Sequence, residues 1–168
     1  MRTTATIVIT AIMALLLGWQ HLDGGVPAHH LLADPGMPAL SNWWGLLSLP
    51  LLAWYLLGRI ERRRAGDPAS APRIRGAFGG ALLFGATLAI LFTAGQHDAT
   101  DMMALSLAVI ALFYPIYRAE YVLGFVLGMT WTFGAVLPTI ASCVFALVGA
   151  VIHVGVRLIY ARMLLLRR

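Results

Sequence analysis

The segment Gln96-His97-Asp98-Ala99-Thr100-Asp101-Met102-Met103 combines imidazole, carboxylate and thioether groups at the entrance to an apolar run. If a helix begins at its head, His97 and Asp101 lie at i and i+4, neighbours on one helical face, and can hold one metal ion between them. The loop before residue 42 supplies His21, Asp23, His29 and His30, from which one or two further ligands would complete the tetrahedral nitrogen and oxygen set that zinc prefers. Met37, Met102 and Met103 stand at the same boundary, and a thioether among the ligands would shift preference toward copper. A bound zinc would polarise water, with Asp98 as the general base. The structural alternative is that these groups are ordinary loop polarity, with Asp101 or Ser41 capping helix ends. A third reading is an organic-ligand site lined by His, Asp and the trio Trp19, Trp43 and Trp44.

The elements that position these residues follow from composition. With 60% hydrophobic and 11% charged residues in 168, the chain is too apolar for a water-soluble fold, so its solvent is lipid. A bilayer core of roughly 30 Å takes about 20 helical residues to cross, and the short loops here allow repeated crossing. The sequence predicts an all-α polytopic membrane protein, one domain over 1–168, with helices near 5–19, 42–58, 76–94, 101–117, 121–137 and 139–160. Pro50 falls inside the second and Pro138 at the turn into the sixth. The first apolar run lacks a small-x-small cleavage site around Gly18-Trp19-Gln20 and is expected to stay as a helix rather than leave as a signal peptide.

Charge then gives direction. The formal net charge is +5, all twelve basic residues are arginine, and every one falls at the same end of this threading: Arg2, the stretch 59–75, Arg118, and the tail from Arg157. The positive-inside rule makes that end cytoplasmic, with both termini inside a bacterial inner membrane and the basic stretch 59–75 a flexible cytoplasmic loop. The charge is thus a topology signal and implies no nucleic-acid partner. The opposite, periplasmic end receives the loop 20–41 and the turn at 95–100. It holds four of five histidines (His21, His29, His30, His97) and four of seven acids (Asp23, Asp34, Asp98, Asp101) with no neutralising arginine, so it should attract cations.

Within the lipid layer the inventory is thin. His153 is a candidate proton carrier or haem ligand, or an interhelical hydrogen-bond partner. Thr130, Thr132, Ser142 and Cys143 are polar enough to line a cavity, yet the hydroxyls can bond to their own helix. The lone Cys143 forms no intrachain disulfide. Ala77, Ala81, Gly85 and Ala89 form a small-residue stripe on the third helix, and Gly124 and Gly128 a GxxxG pair on the fifth, so both faces admit a close neighbour. Phosphate loops, HExxH, GxSxG and CxxC are absent. Three readings follow: a periplasm-facing zinc or copper site for metal handling or hydrolysis of a membrane substrate; a small solute-binding or transport subunit; or an accessory subunit docking a homo-oligomer or membrane-complex partner through its small-residue faces.

Overall fold

Backbone polar groups surrounded by lipid must pair within their own segment, which selects helices for apolar runs of this length. The computed structural model describes residues 2–30, 36 and 39–166, with the backbone alone for His29, His30, 159–161 and 163–166. Six helices follow in order: α1 (Arg2–Leu22), α2 (Gly45–Gly66), α3 (Ala71–Thr93), α4 (His97–Phe113), α5 (Ala119–Phe133) and α6 (Val136–Leu166). Between α1 and α2 lies a small antiparallel ribbon of β1 (Ala28–His30) and β2 (Ala39–Ser41), which pairs His29 with Leu40 and His30 with Ala39. The first loop therefore holds two strands where none was expected. Gly24 and Gly25, at φ 112° and 111°, let the chain leave α1 and turn back. Ser41 then caps the 3-10 turn Asn42–Trp44, its hydroxyl accepting from the Trp43 N–H at 3.4 Å, and that turn leads into α2.

The basic stretch 59–75 is not the flexible loop that its charge suggested. α2 continues through Arg59, Arg62, Arg63 and Arg64 to Gly66, and after the 3-10 turn Pro68–Ser70 the chain is helical again from Ala71. Arginine is a good helix former, and cations near a helix C-terminus oppose the negative end of its dipole. Asp67 ends α2, its N–H donating to the Arg63 carbonyl at 3.0 Å while its carboxylate accepts from Ala69.

Among the described residues, three segments are long and apolar enough to cross a membrane: Arg2–Leu22, Pro68–Thr93 and Val136–Leu158. The six expected crossings also include α2, α4 and α5, which fall outside this length and composition: α4 and α5 have 17 and 15 residues, below the about 20 of a full crossing, and α2 carries four arginines in its final turns.

The packing centre is α5. Val126 joins Met13, Leu17, Leu49 and Ala135 in one buried cluster; Ala119 and Leu123 join Ala53 and Leu56 in a second; Phe125 and Met129 join Leu88 in a third. Against α3 the contact is backbone on backbone. A methyl group added at Gly85 would sit 2.6 Å from the Phe125 carbonyl oxygen, and side chains at Gly124 and Gly128 would run into the Phe78 and Leu82 carbonyls. The two small-residue faces thus meet each other inside the chain, leaving these glycines unavailable as docking faces for a further protein.

Candidate functional site

The side chains expected to form a metal site sit at the end where α1, the β ribbon, the α3–α4 turn and the α5–α6 turn gather. α4 does start at His97, which puts His97 and Asp101 one turn apart. Both are exposed, as are Asp98, His21 and Asp23. Four of these five have a local role. The His97 ring packs edge-on to Phe92 with centroids 5.6 Å apart, the His21 ring edge-on to Trp43 at 6.1 Å, and the Trp19 indole N–H donates to Asp23 at 3.3 Å. Asp98 lies in the first turn of α4, where the helix dipole favours its negative charge. The backbones of His29 and His30 belong to β1; their side chains, with Asp34 and Met37, lie outside what is described. Among the described residues no three His, Cys, Asp or Glu side chains come together to hold a metal ion.

The methionines and tryptophans divide between packing and exposure. Met103 lies against the Leu88, Phe125 and Met129 cluster, while Met102 is exposed. Trp19, Trp43 and Trp44 are half-exposed or more, the arrangement of an interfacial aromatic belt. Of the three, Trp19 alone lines the hollow of about 380 Å³ beneath the first loop, together with Gln20, Asp23 and Trp131. His153 ties α6 to α4: its Nδ1 lies 3.3 Å from the Ala111 carbonyl oxygen and its ring 5.9 Å from that of Tyr117. Thr130 and Ser142 are buried and satisfy themselves on their own helices, donating to Val126 and Thr139 carbonyls at 2.7 and 2.8 Å.

The larger cavity among the described residues is elsewhere, toward the arginine end. It is an open cleft of about 610 Å³ between α3, α4, α5 and α6. Gly76, Ala77, Gly80 and Ala81 of α3 make its room, since these residues withhold side-chain volume from a wall that larger ones would fill. A methyl group added at Gly76 or Gly80 would meet no atom within 4 Å. Phe84, Leu107, Ile110, Phe125 and Phe145 supply apolar walls. The mouth is polar, with Arg63, Arg73, Arg118, Glu120, Tyr114 and Tyr121.

Glu120 is 2% exposed, a carboxylate drawn into the bundle at the second residue of α5. Such a group needs a partner, because an isolated ion loses several kcal/mol of hydration on leaving water. Arg63 supplies it, reaching from the last turn of α2 with its side chain 32% exposed to form a charge-assisted hydrogen bond. Among the described residues, Arg73 and Arg118 form neither ion pairs nor side-chain hydrogen bonds, so the mouth carries an uncompensated positive charge. Among the described residues no histidine or cysteine lines the cavity, and its hydroxyls come from Tyr114, Tyr121 and Ser142. It is furnished for binding a molecule that is mostly apolar and bears an anionic group, rather than for nucleophilic chemistry.

None of these mouth residues stood out in the sequence as more than a topology marker. In the sequence Glu120 looks like an ordinary first-turn carboxylate favoured by the helix dipole, as Asp98 is in α4, so its burial could not be read there. Comparison of the chain with known proteins finds no matching family model, no matching curated protein and no matching solved structure, so geometry alone carries the functional reading.

Proposed function

We propose that this is a bacterial inner-membrane protein of six crossings, both termini cytoplasmic, that acts as a small solute-binding or transport subunit and takes its ligand in the cavity between α3, α4, α5 and α6. The observation that carries the reading is the coincidence of a 610 Å³ largely apolar cavity with a charged mouth at the arginine end. Volumes of this order are typical of small-molecule sites, about 300–1,000 Å³. Two tertiary contacts support six crossings. The Arg2 backbone N–H donates to Glu61 at 2.9 Å and its guanidinium to the Trp54 carbonyl at 2.7 Å, so α2 returns to the level where α1 began. The Arg63–Glu120 pair brings the start of α5 to the end of α2, so α3 and α4 together make a return trip. α5, sheathed by its neighbours, has little need of a long lipid-facing stretch.

Photolabelling the purified protein with a neutral adamantyl diazirine tests this. Label is expected on Phe84, Leu107 and Phe145, and the Gly80→Leu variant, which projects a side chain into the cavity, should reduce it. Labelling confined to lipid-facing Leu83 and Leu105, unchanged in the variant, would overturn the reading.

A second reading retains the opposite end as a zinc or copper site, favoured by the start of α4 at His97 that puts His97 beside Asp101. The side chains of His29 and His30 would have to turn toward that pair, with His21 and Asp23 as further ligands and Asp98 as base. Metal content of the purified protein decides it.

A further inference from the structure

We propose that the natural occupant of the cavity is an anionic membrane phospholipid of the inner leaflet, with its phosphate between Arg73 and Arg118 and a hydrocarbon tail along Phe84, Leu107 and Phe145. The proposal rests on the cavity being the binding site and adds the class of ligand. Three observations select that class. The walls behind the mouth are mainly aromatic and aliphatic, which suits a hydrocarbon chain and offers few partners to a sugar or peptide. The carboxylate at the mouth is already matched, because Glu120 is paired with Arg63, so it does not repel an incoming anion as a free carboxylate would. Two further guanidiniums, Arg73 exposed and Arg118 half-buried, remain without a carboxylate partner among the described residues, and an excess of positive charge calls for a ligand that brings negative charge with it.

The placement agrees with the chemistry. Arg73 precedes the long apolar stretch of α3 and Arg118 precedes α5, so both stand at the depth where headgroups meet the hydrocarbon. Basic pockets between transmembrane helices on the cytoplasmic side hold anionic headgroups in this manner. A guanidinium also offers paired N–H donors that fit two phosphate oxygens. Each such arginine is worth about fivefold in affinity at the membrane surface, and the two together about 25-fold.

The test is native mass spectrometry of the full chain released from detergent after titration with phosphatidylglycerol or phosphatidylcholine of identical chains. Wild type should retain phosphatidylglycerol at least tenfold better, and R73Q with R118Q should erase that preference by lowering phosphatidylglycerol retention far more than that of phosphatidylcholine, whose choline cation offsets its phosphate. If the double variant does not fold, R73Q alone, at an exposed position, should cut the preference about fivefold. Gly80→Leu should lower retention of both lipids. Equal retention of the two lipids by wild type, with both lowered by Gly80→Leu, overturns the anionic headgroup and leaves the binding cavity standing. Retention untouched by Gly80→Leu overturns both. A third arm adds inorganic phosphate without lipid: saturable binding of phosphate, lost in R73Q with R118Q and indifferent to Gly80→Leu, would identify a free-anion site and overturn the lipid.

Discussion

The two ends of this bundle treat their ionisable groups in opposite ways. At the His/Asp end, His21, Asp23, His97, Asp98 and Asp101 all face solvent, and the contacts they make are local ones to Trp43, Trp19 or Phe92. At the arginine end, residues from α2, α3, the α4–α5 turn and α5 converge on one cavity, and one carboxylate is buried outright. Polar groups that keep their water have no energetic reason to organise, whereas a charge drawn between helices must be matched by another element. A cluster of ligating residue types in sequence therefore says less about a site than a single carboxylate that the fold has removed from solvent.

The contrast can be broken outright by topology. Reporter fusions at Asp67 and after Arg162 should read cytoplasmic, and a fusion near Gly36 periplasmic. A periplasmic signal at Asp67 would exchange the two ends and remove the inner leaflet from the account. Stability comes next. Arg63→Ala leaves Glu120 buried without its counter-charge and should cost about 3–5 kcal/mol, whereas Asp101→Ala at the opposite end, exposed and unpaired with any arginine, should change stability by no more than about 0.5 kcal/mol. Denaturant unfolding in mixed micelles measures both, and comparable losses for the two variants would dissolve the distinction drawn between the ends.

The cavity wall and the helix seam give a finer test on neighbouring glycines. Gly124→Ala should destabilise by about 1–3 kcal/mol, because its new methyl group meets the Phe78 carbonyl and the Ala81 side chain. Gly80→Ala, facing open space, should stabilise by up to about 1 kcal/mol through helix propensity. A destabilised Gly80→Ala would mean that the space beside α3 is filled. The smallest effect expected is on metal. Elemental analysis of the purified protein should show little zinc or copper and no difference in His97→Ala, while stoichiometric metal lost in that variant would restore the metal reading and show that His29 or His30 turns toward Asp101.

Much of the helical character was legible because lipid leaves few alternatives: apolar run length, arginine distribution and the four-residue spacing of small residues are local or one-dimensional signals. Gly85, Gly124 and Gly128 announced a close approach in this way, although the sequence could not say that their faces would meet each other. The continuation of α2 through Arg59 to Arg64 was missed because a run of like charge suggests solvated coil, while arginine's helix propensity and the dipole at the C-terminus favour continuing the turn. The cavity was invisible for a different reason. Glu120 acquires its meaning from Arg63, 57 residues earlier, and no spacing rule connects them.

The central position of α5 has a consequence for how the protein is made. Every one of the three buried clusters draws members from α5, and α5 is synthesised after the four helices before it. During translation α1 to α4 are complete before α5 emerges, and the α3 face at Gly85 has no partner until the glycine face of α5 reaches it. Helix formation and final packing are then separate events in time. A nascent chain stalled before Ala119 would lack the α5 members of all three buried clusters, so the final third of the sequence completes the packing that the first two-thirds begin.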